Sequence, residues 1–272
     1  MNLVRFTKPC SMADAAALFG EWPETILWSV LQETMGCMFV DDTWKPQSAA
    51  AVLGDFVFLA GKPNGELIQF TSELGYPLDM CIYMPQNEAW EQKLELVLGE
   101  RAEKVTRYAT RKLLSDLQNP QNLARLEQLA SAVPEHFKIV PFDKEIFEIA
   151  REEYWSRSQA VQFKDYKEFK DHGIGFAAML GDIMAAGAAA YSYYHGGIEV
   201  QIDTDLPFRE MGLAKCCGAR LILECLKRGL YPSWDAQTLQ SLELAEKFGY
   251  VPAGEYTAYE FWQKEAPEEY SL

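Results

Sequence analysis

The stretch that decides the fold is Gly197-Ile198-Glu199-Val200-Gln201-Ile202-Asp203-Thr204, followed shortly by Arg209-Glu210-Met211-Gly212-Leu213-Ala214-Lys215. Its first part reads as a strand, and Lys215 to Lys227 reads as a helix. A strand that breaks into a small-residue turn and then a helix gathers several backbone N–H groups around one point. Such a point binds anions, phosphate most naturally. Gly212 and Ala214 carry almost no side chain, so a ligand's phosphates can approach the main chain. Arg209 adds a cationic fork at the rim. Ordinary strand-to-helix turns share this short pattern, so the surrounding sequence has to decide.

Working outward, Phe137 to Pro141 reads as a strand, Lys144 to Ser156 as a helix and Tyr166 to Lys170 as a second helical piece. Phe176 to Leu180 and Ile183 to Tyr193 read as antiparallel strands joined by the two-residue turn Gly181-Asp182. Beyond the central stretch, Trp234-Asp235-Ala236 reads as a short strand, Ser241 to Phe248 as a helix ended by Gly249, and Tyr256 to Trp262 as a final strand. No repeated βαβ winding appears, so the class is α+β with a mixed, mostly antiparallel sheet flanked by helices.

Upstream, helices are expected from Ser11, a capping residue, through Leu18 and over Pro23 to Leu31. Strands follow at Met38–Val40, Ala49–Leu53 and Asp55–Ala60, then a helix at Leu67–Leu74 and a strand at Met80–Met84. A helix at Asn87–Leu98 and a strand at Val105–Ala109 complete this half. Ser115 to Leu129 is a charged, mixed connection containing Pro120, which places a domain boundary near residue 134. The domains are then 1–133, an α/β unit, and 134–272. The order of elements in the first half loosely echoes the second, so it reads as a degenerate copy of the same fold. It would shape an acceptor cleft or mediate the contacts of a homodimer. Trp44, Trp90 and Trp155 are expected in its core and the next.

The chain has 272 residues, 49% hydrophobic and 24% charged, and a formal net charge of −15. That charge repels phosphate polyanions, which argues against nucleic acid as a partner, and it would attract a cationic substrate such as an amine. No stretch is long and apolar enough to cross a membrane. Met1 to Phe6 does not read as a secretory signal, and six scattered cysteines, two of them adjacent, read as reduced thiols in a cytoplasmic protein.

Three pieces together resemble the Gcn5-related N-acetyltransferase (GNAT) superfamily. The first is Arg209-x-x-Gly212-x-Ala214, which meets the family's Gln/Arg-x-x-Gly-x-Gly/Ala. The second is the strand Glu199 to Thr204 before it. The third is Trp234-Asp235 followed by Ser241-x-x-x-Ala245-Glu246-Lys247-Phe248-Gly249-Tyr250. The wording around Phe169, Gly173 to Phe176 and Pro232 to Asp235 is similar to a branch that includes the zwittermicin A resistance acetyltransferase. The resemblance implies binding of acetyl-coenzyme A (acetyl-CoA). It places the pantetheine arm on Val200, Gln201 and Ile202 where two parallel strands splay apart. It places the pyrophosphate on the amides of Glu210, Met211, Gly212, Leu213, Ala214 and Lys215, with Arg209 at the rim. Thr238 and Ser241 stand where the family carries Asn-x-x-Ser/Ala. Thr238 replaces the asparagine, and Ala245 replaces a tyrosine used as general acid.

The implied activity is acetyl transfer from acetyl-CoA to a primary amine of a small molecule, by direct attack in a ternary complex. Such chemistry needs a proton acceptor for the amine, polarisation of the thioester oxygen and close positioning. Glu199 is the first choice as general base, weighed equally against a half-exposed strand glutamate. The amide near Gln201 is the oxyanion donor that the resemblance suggests. His195 reads as a solvated loop residue, and His136 and His172 have no ligand spacing, so no metal is expected. Tyr191, Tyr193 and Tyr194 read as packing, and Cys216 and Cys217 as buried small side chains. Two other functions stay open: a non-catalytic acyl-CoA-binding module, and an aminoacyl transferase built from paired domains of this fold.

Overall fold

The computed structural model describes residues 7–264, so the segment Met1 to Phe6, read above as lacking a secretory signal, lies outside the described residues. The chain forms two compact units. Among the described residues, one holds 7–106 together with 257–264, and the other holds Arg107–Tyr256. This division falls at 106/107 and 256/257, where the composition shift suggested residue 134.

In the first unit, α1 (Met12–Ala16) and α2 (Thr25–Leu31) precede β1 (Cys37–Val40), β2 (Ser48–Leu53) and β3 (Phe56–Gly61). Then come α3 (Gly65–Ser72), β4 (Met80–Pro85), α4 (Glu88–Leu98) and β5 (Ala102–Thr110), whose last residues enter the second unit. β1, β2 and β3 pair antiparallel, whereas β3 and β4 pair in parallel across the α3 crossover. The apolar faces of α3 and α4 (Leu67, Ile68, Trp90, Leu94) bury against Val57, Leu59, Tyr83 and Phe261. Trp90 is core as expected, but Trp44 is 81% exposed. The Asp42 carboxylate accepts from the backbone N–H of Trp44 and Lys45, and this tight local turn holds the chain at the surface.

In the second unit the supposed connection is α5 (Leu114–Gln118) and α6 (Pro120–Ser131). Pro120 sits at the first helical turn, where a missing N–H costs nothing, and Asn119 caps the helix. Their charged residues face water while Leu117 and Leu126 enter a core with Ile222, Trp234 and Phe248. One face of an amphipathic helix thus read as a linker.

The second unit continues with β6 (Lys138–Pro141), α7 (Lys144–Glu152), a 3-10 segment (Tyr154–Gln159), α8 (Tyr166–His172), β7 (Gly175–Leu180), β8 (Ile183–Tyr194) and β9 (Gly197–Thr204). Next are α9 (Leu213–Lys227), β10 (Tyr231–Ser233), β11 (Asp235–Ala236), α10 (Leu239–Lys247) and β12 (Pro252–Trp262). The strand order β10-β9-β8-β7-β6 is antiparallel except for the parallel β9–β10 pair. β12 begins four residues earlier than the sequence suggests. From Thr257 on it belongs to the first unit, where Tyr259–Trp262 pair with β4.

The alanine-rich inner strands β7 and β8 let α9 lie close over the sheet. Gly218 on α9 has no room for a Cβ, which would come within 2.7 Å of Phe248 and 2.8 Å of Ile202. Apart from the 3-10 segment and β11, the succession β1-β2-β3-α3-β4-α4 has the same order as β7-β8-β9-α9-β10-α10, including the parallel step across the helix.

Candidate active site

The single short strand expected at Trp234–Ala236 is in fact a change of partner. β10 pairs with β9 only through Tyr231↔Gly197, Pro232↔Ile198 and Ser233↔Glu199. After Trp234 the chain turns away, and β11 pairs antiparallel with Tyr108–Ala109 at the end of β5. Two strands that start parallel therefore splay apart at Glu199. Among the described residues no strand pairs with that edge of β9 from Val200 to Thr204. An unpaired strand edge is a template for an extended, amide-bearing ligand.

The open edge leads directly to the turn. After Thr204, a 3-10 segment (Leu206–Phe208) brings the chain to Arg209, whose Nε donates to the Thr204 carbonyl at 3.4 Å. Glu210 (φ 65) and Gly212 (φ 85) both take left-handed backbone conformations. Gly212 is the N-cap of the 15-residue helix α9 and offers no side-chain cap. The Lys215 and Cys216 amides donate to the Gly212 carbonyl at 3.1 and 3.3 Å, which leaves the Leu213 and Ala214 amides and the positive helix end for another acceptor. A Cβ built on Gly212 would meet nothing within 4 Å, so the approach to these amides is open. Arg209, Glu210 and Met211 are exposed, Gly212, Ala214 and Lys215 are partly so, and the Leu213 side chain is buried beneath them. This arrangement fits a diphosphate.

The first unit shows why its own crossover does not. There the N-cap of α3 is Asn64, whose side chain accepts from the amides of Glu66 and Leu67. Its first turn is already satisfied, and β3 stays paired with β4 over four residues.

Alternation along β9 sorts its side chains. Val200 and Ile202 pack on the α9 side, in the core around Ala219 and Phe248. Glu199, Gln201 and Asp203 project from the opposite face. On the neighbouring strand a β-bulge between Ala190 and Ser192 falls beside Glu199 and Val200. Such bulges re-aim side chains next to active sites.

Glu199 is not half-exposed but 4% exposed. Its Oε1 accepts from the Asp235 backbone N–H at 2.9 Å, bridging the vertex of the splay. The Asp235 carboxylate is held in turn. Its Oδ1 accepts from Arg107 Nη2 at 2.6 Å and Nε at 2.8 Å, and its Oδ2 accepts from the Tyr256 hydroxyl. Arg107 Nε also lies 3.3 Å from that hydroxyl. The Arg107 and Asp235 side chains are only 5% and 6% exposed, a buried pair whose desolvation is offset only because every partner is in place. Burial opposes the Arg107 charge, and Asp235 and Tyr256 more than restore it. Arg107 and Tyr256 were missed in sequence. Both lie far along the chain from the motif, and only the β5–β11 pairing brings them to Asp235.

Farther along the same face, Asp203 accepts from Gln201 Nε2 at 3.1 Å and from Gln159 Nε2 at 3.0 Å. Burial pushes its carboxyl up to about 6, against the opposing effect of Gln159, Gln201 and Arg209.

The remaining expected site residues have structural partners. The Thr238 hydroxyl caps α10 by accepting from the Ser241 N–H at 3.2 Å, and Ser241 Oγ accepts from Trp234 Nε1 at 3.2 Å. Ala245 is fully buried. His195 is exposed in the β8–β9 turn, and Tyr191 and Tyr194 are buried. Burial pushes the Cys216 and Cys217 thiols up, the reverse of what a nucleophilic thiolate needs.

A splayed parallel pair beside an uncapped helix N-terminus offers backbone groups to an extended ligand and amides to an anion. The GNAT acetyltransferase family profile matches residues 16–259, and the chain belongs to that family. A GCN5-related N-acetyltransferase-like protein from Streptococcus suis 89/1591, known from its crystal structure, is 42% identical. The likeness covers 92% of this chain and 98% of that one, with a TM-score of 0.85. An uncharacterized N-acetyltransferase of Bacillus subtilis (strain 168), YdfB, is 26% identical over 250 residues, 86% of this chain and 89% of that protein. Among the described residues no helix is long and apolar enough to cross a membrane.

Proposed function

We propose that the protein transfers the acetyl group of acetyl-CoA to a primary amine of a small molecule, by direct attack in a ternary complex. The observation that carries this reading is the continuity of the free β9 edge, Val200 to Thr204, with the uncapped turn at Gly212. Acetyl-CoA, when bound, supplies the acetyl group as a thioester. Val200, Gln201 and Ile202 offer backbone groups to its pantetheine arm, as an added strand would. Glu210 to Ala214 offer amides to its pyrophosphate, with Arg209 at the rim and Lys215, whose own amide donates to the Gly212 carbonyl, beside them. The amide near Gln201 polarises the thioester oxygen.

Glu199 accepts the proton that the attacking amine must lose as its nitrogen–carbon bond forms. As the carbon–sulfur bond breaks, the sulfur must gain a proton. Ala245 has none to give, and Tyr256, held by Asp235 and Arg107, is the hydroxyl tied into the Glu199 network. The Pro232-Ser233-Trp234-Asp235 segment at the splay supports placement in the zwittermicin A resistance-like branch. The six free cysteines support a cytoplasmic setting.

The test is calorimetry with CoA, paired with thiol release from acetyl-CoA over a panel of small amines. Gly212→Glu, which puts bulk and negative charge where the phosphates would lie, is expected to abolish CoA binding. Unchanged affinity would displace the cofactor from this turn. Stabilisation by acetyl-CoA without thiol release for any amine would favour a binding module instead.

A further inference from the structure

Asp203 is a carboxylate that the fold holds at a cost. It accepts hydrogen bonds from two neutral amides, Gln159 and Gln201, yet no lysine or arginine among the described residues forms an ion pair with it. It keeps part of its surface accessible, while desolvation dominates its titration. It is thus a partly sheltered carboxylate on the exposed face of β9, neither in the core nor fully in solvent.

A second observation points the same way. Gln159 is fully buried, and its amide reaches Asp203 through Nε2 while Oε1 has no hydrogen-bond partner. Gln162, three residues on, buries both polar atoms of its amide without a partner. Buried amide oxygens without a donor are expensive, and so is a sheltered carboxylate that no ion pair holds, the Arg209 charge acting on it only at longer range. The fold makes special room for this group. Gly187, paired with Asp203 across β8 and β9, would place a Cβ 2.1 Å from Gln159 Oε1, so only glycine lets the Gln159 side chain settle on the strand. The unsatisfied Gln159 Oε1 and an Asp203 carboxylate held by neutral amides, brought together over Gly187, are what a cationic hydrogen-bond donor would satisfy.

Asp203 lies on the same face of β9 as Glu199, four residues farther along, or roughly 13 Å of strand. We propose that Asp203, with Gln159, seats a second cationic group of the acceptor while its reacting amine lies at Glu199. The acceptor is then at least a dication, with its two nitrogens separated by an extended chain. This inference rests on the reading of β9 as the wall of an acetyl-transfer site, and it names the class of molecule that site takes. The net charge of −15 favours the approach of such a molecule.

A matched pair of probes tests it: 1,6-diaminohexane and hexylamine, which differ only in the distal ammonium. Each is titrated by calorimetry into the full chain saturated with CoA, at pH 8, where Asp203 is ionised. The diamine is expected to bind at least tenfold more tightly, and Asp203→Asn to erase that preference. Thermal unfolding and CoA affinity of the variant, the latter within twofold of the parent, serve as controls for folding. Equal binding of the two amines by the parent, binding of neither, or an undiminished preference in Asp203→Asn would each overturn the proposal. Failure of the parent to bind CoA would instead remove the acetyl-transfer reading on which it rests, so the two failures are distinguishable.

Discussion

Replacing Glu199 separates two jobs that a buried carboxylate can hold at the vertex of a splayed sheet. One is structural, since Oε1 accepts from the Asp235 N–H at 2.9 Å. The other is chemical, taking a proton from the attacking amine. Glu199→Gln keeps an oxygen for the Asp235 N–H, loses the charge and turns the second acceptor oxygen into an N–H donor. Exchanging a charge-assisted hydrogen bond for a neutral one costs about 1 kcal/mol, or roughly 2–4 °C in Tm for a unit of this size. Loss of a general base costs about 10²- to 10⁴-fold in rate, some 3–5 kcal/mol of barrier.

For the glutamine variant the kinetic effect should therefore far exceed the structural one. Glu199→Ala also strips the partner from the Asp235 N–H, at a further cost of about 1–3 kcal/mol in stability. The expected pattern is two variants that are alike in turnover and unlike in Tm, with CoA affinity preserved in Glu199→Gln. Thiol release with a reactive amine, urea unfolding and calorimetry read the three quantities. If Glu199→Gln turns over within threefold of the parent, Glu199 is a pin for the splay and the base must be sought elsewhere.

Other expectations follow from the same contacts. Burial raises the Asp203 carboxyl from 3.8 to about 6, so the folded state binds this proton more tightly than the unfolded one. Its contribution to stability therefore falls as pH rises from about 4 to 6 and then levels. The difference between parent and Asp203→Asn in urea unfolding should shift by about 2 kcal/mol between pH 4 and 7.5, and a flat difference would refute the placement. Arg107→Met leaves Asp235 buried without its counter-charge and should cost about 3–5 kcal/mol. The Arg107→Met/Asp235→Leu double variant should recover much of that loss, as urea unfolding would show. Gly187→Ala should displace Gln159 and cost about 1–3 kcal/mol, and a variant as stable as the parent in thermal unfolding would show that Gln159 repacks freely.

Much of the second unit was legible because its signals are local. The strand at Glu199 to Thr204, the small-residue turn and the helix after it are set by hydrophobic period and by Gly212, all within a few dozen residues. The α5–α6 pair was misread because Pro120 and the Asn- and Gln-rich run around it masked leucines that recur at helical spacing, Leu123, Leu126 and Leu129. Leu117 and Leu126 declare themselves core only when α9 and the Trp234 side chain are there to cover them.

The chain's own order of residues determined that it builds mixed sheets with an anion-accepting bend. Backbone conformation at Gly212 and the helix that follows are short-range matters. Only tertiary structure decided where β9 loses its partner, because that depends on β11 leaving for a strand more than a hundred residues earlier. It likewise decided that Arg107, Asp235 and Tyr256 meet, and that Gln159 reaches Asp203 over the bare backbone of Gly187. Charge and hydrogen-bonding capacity are properties of single residues. Whether they are spent on one another or left for a ligand depends on which distant strands come to lie side by side.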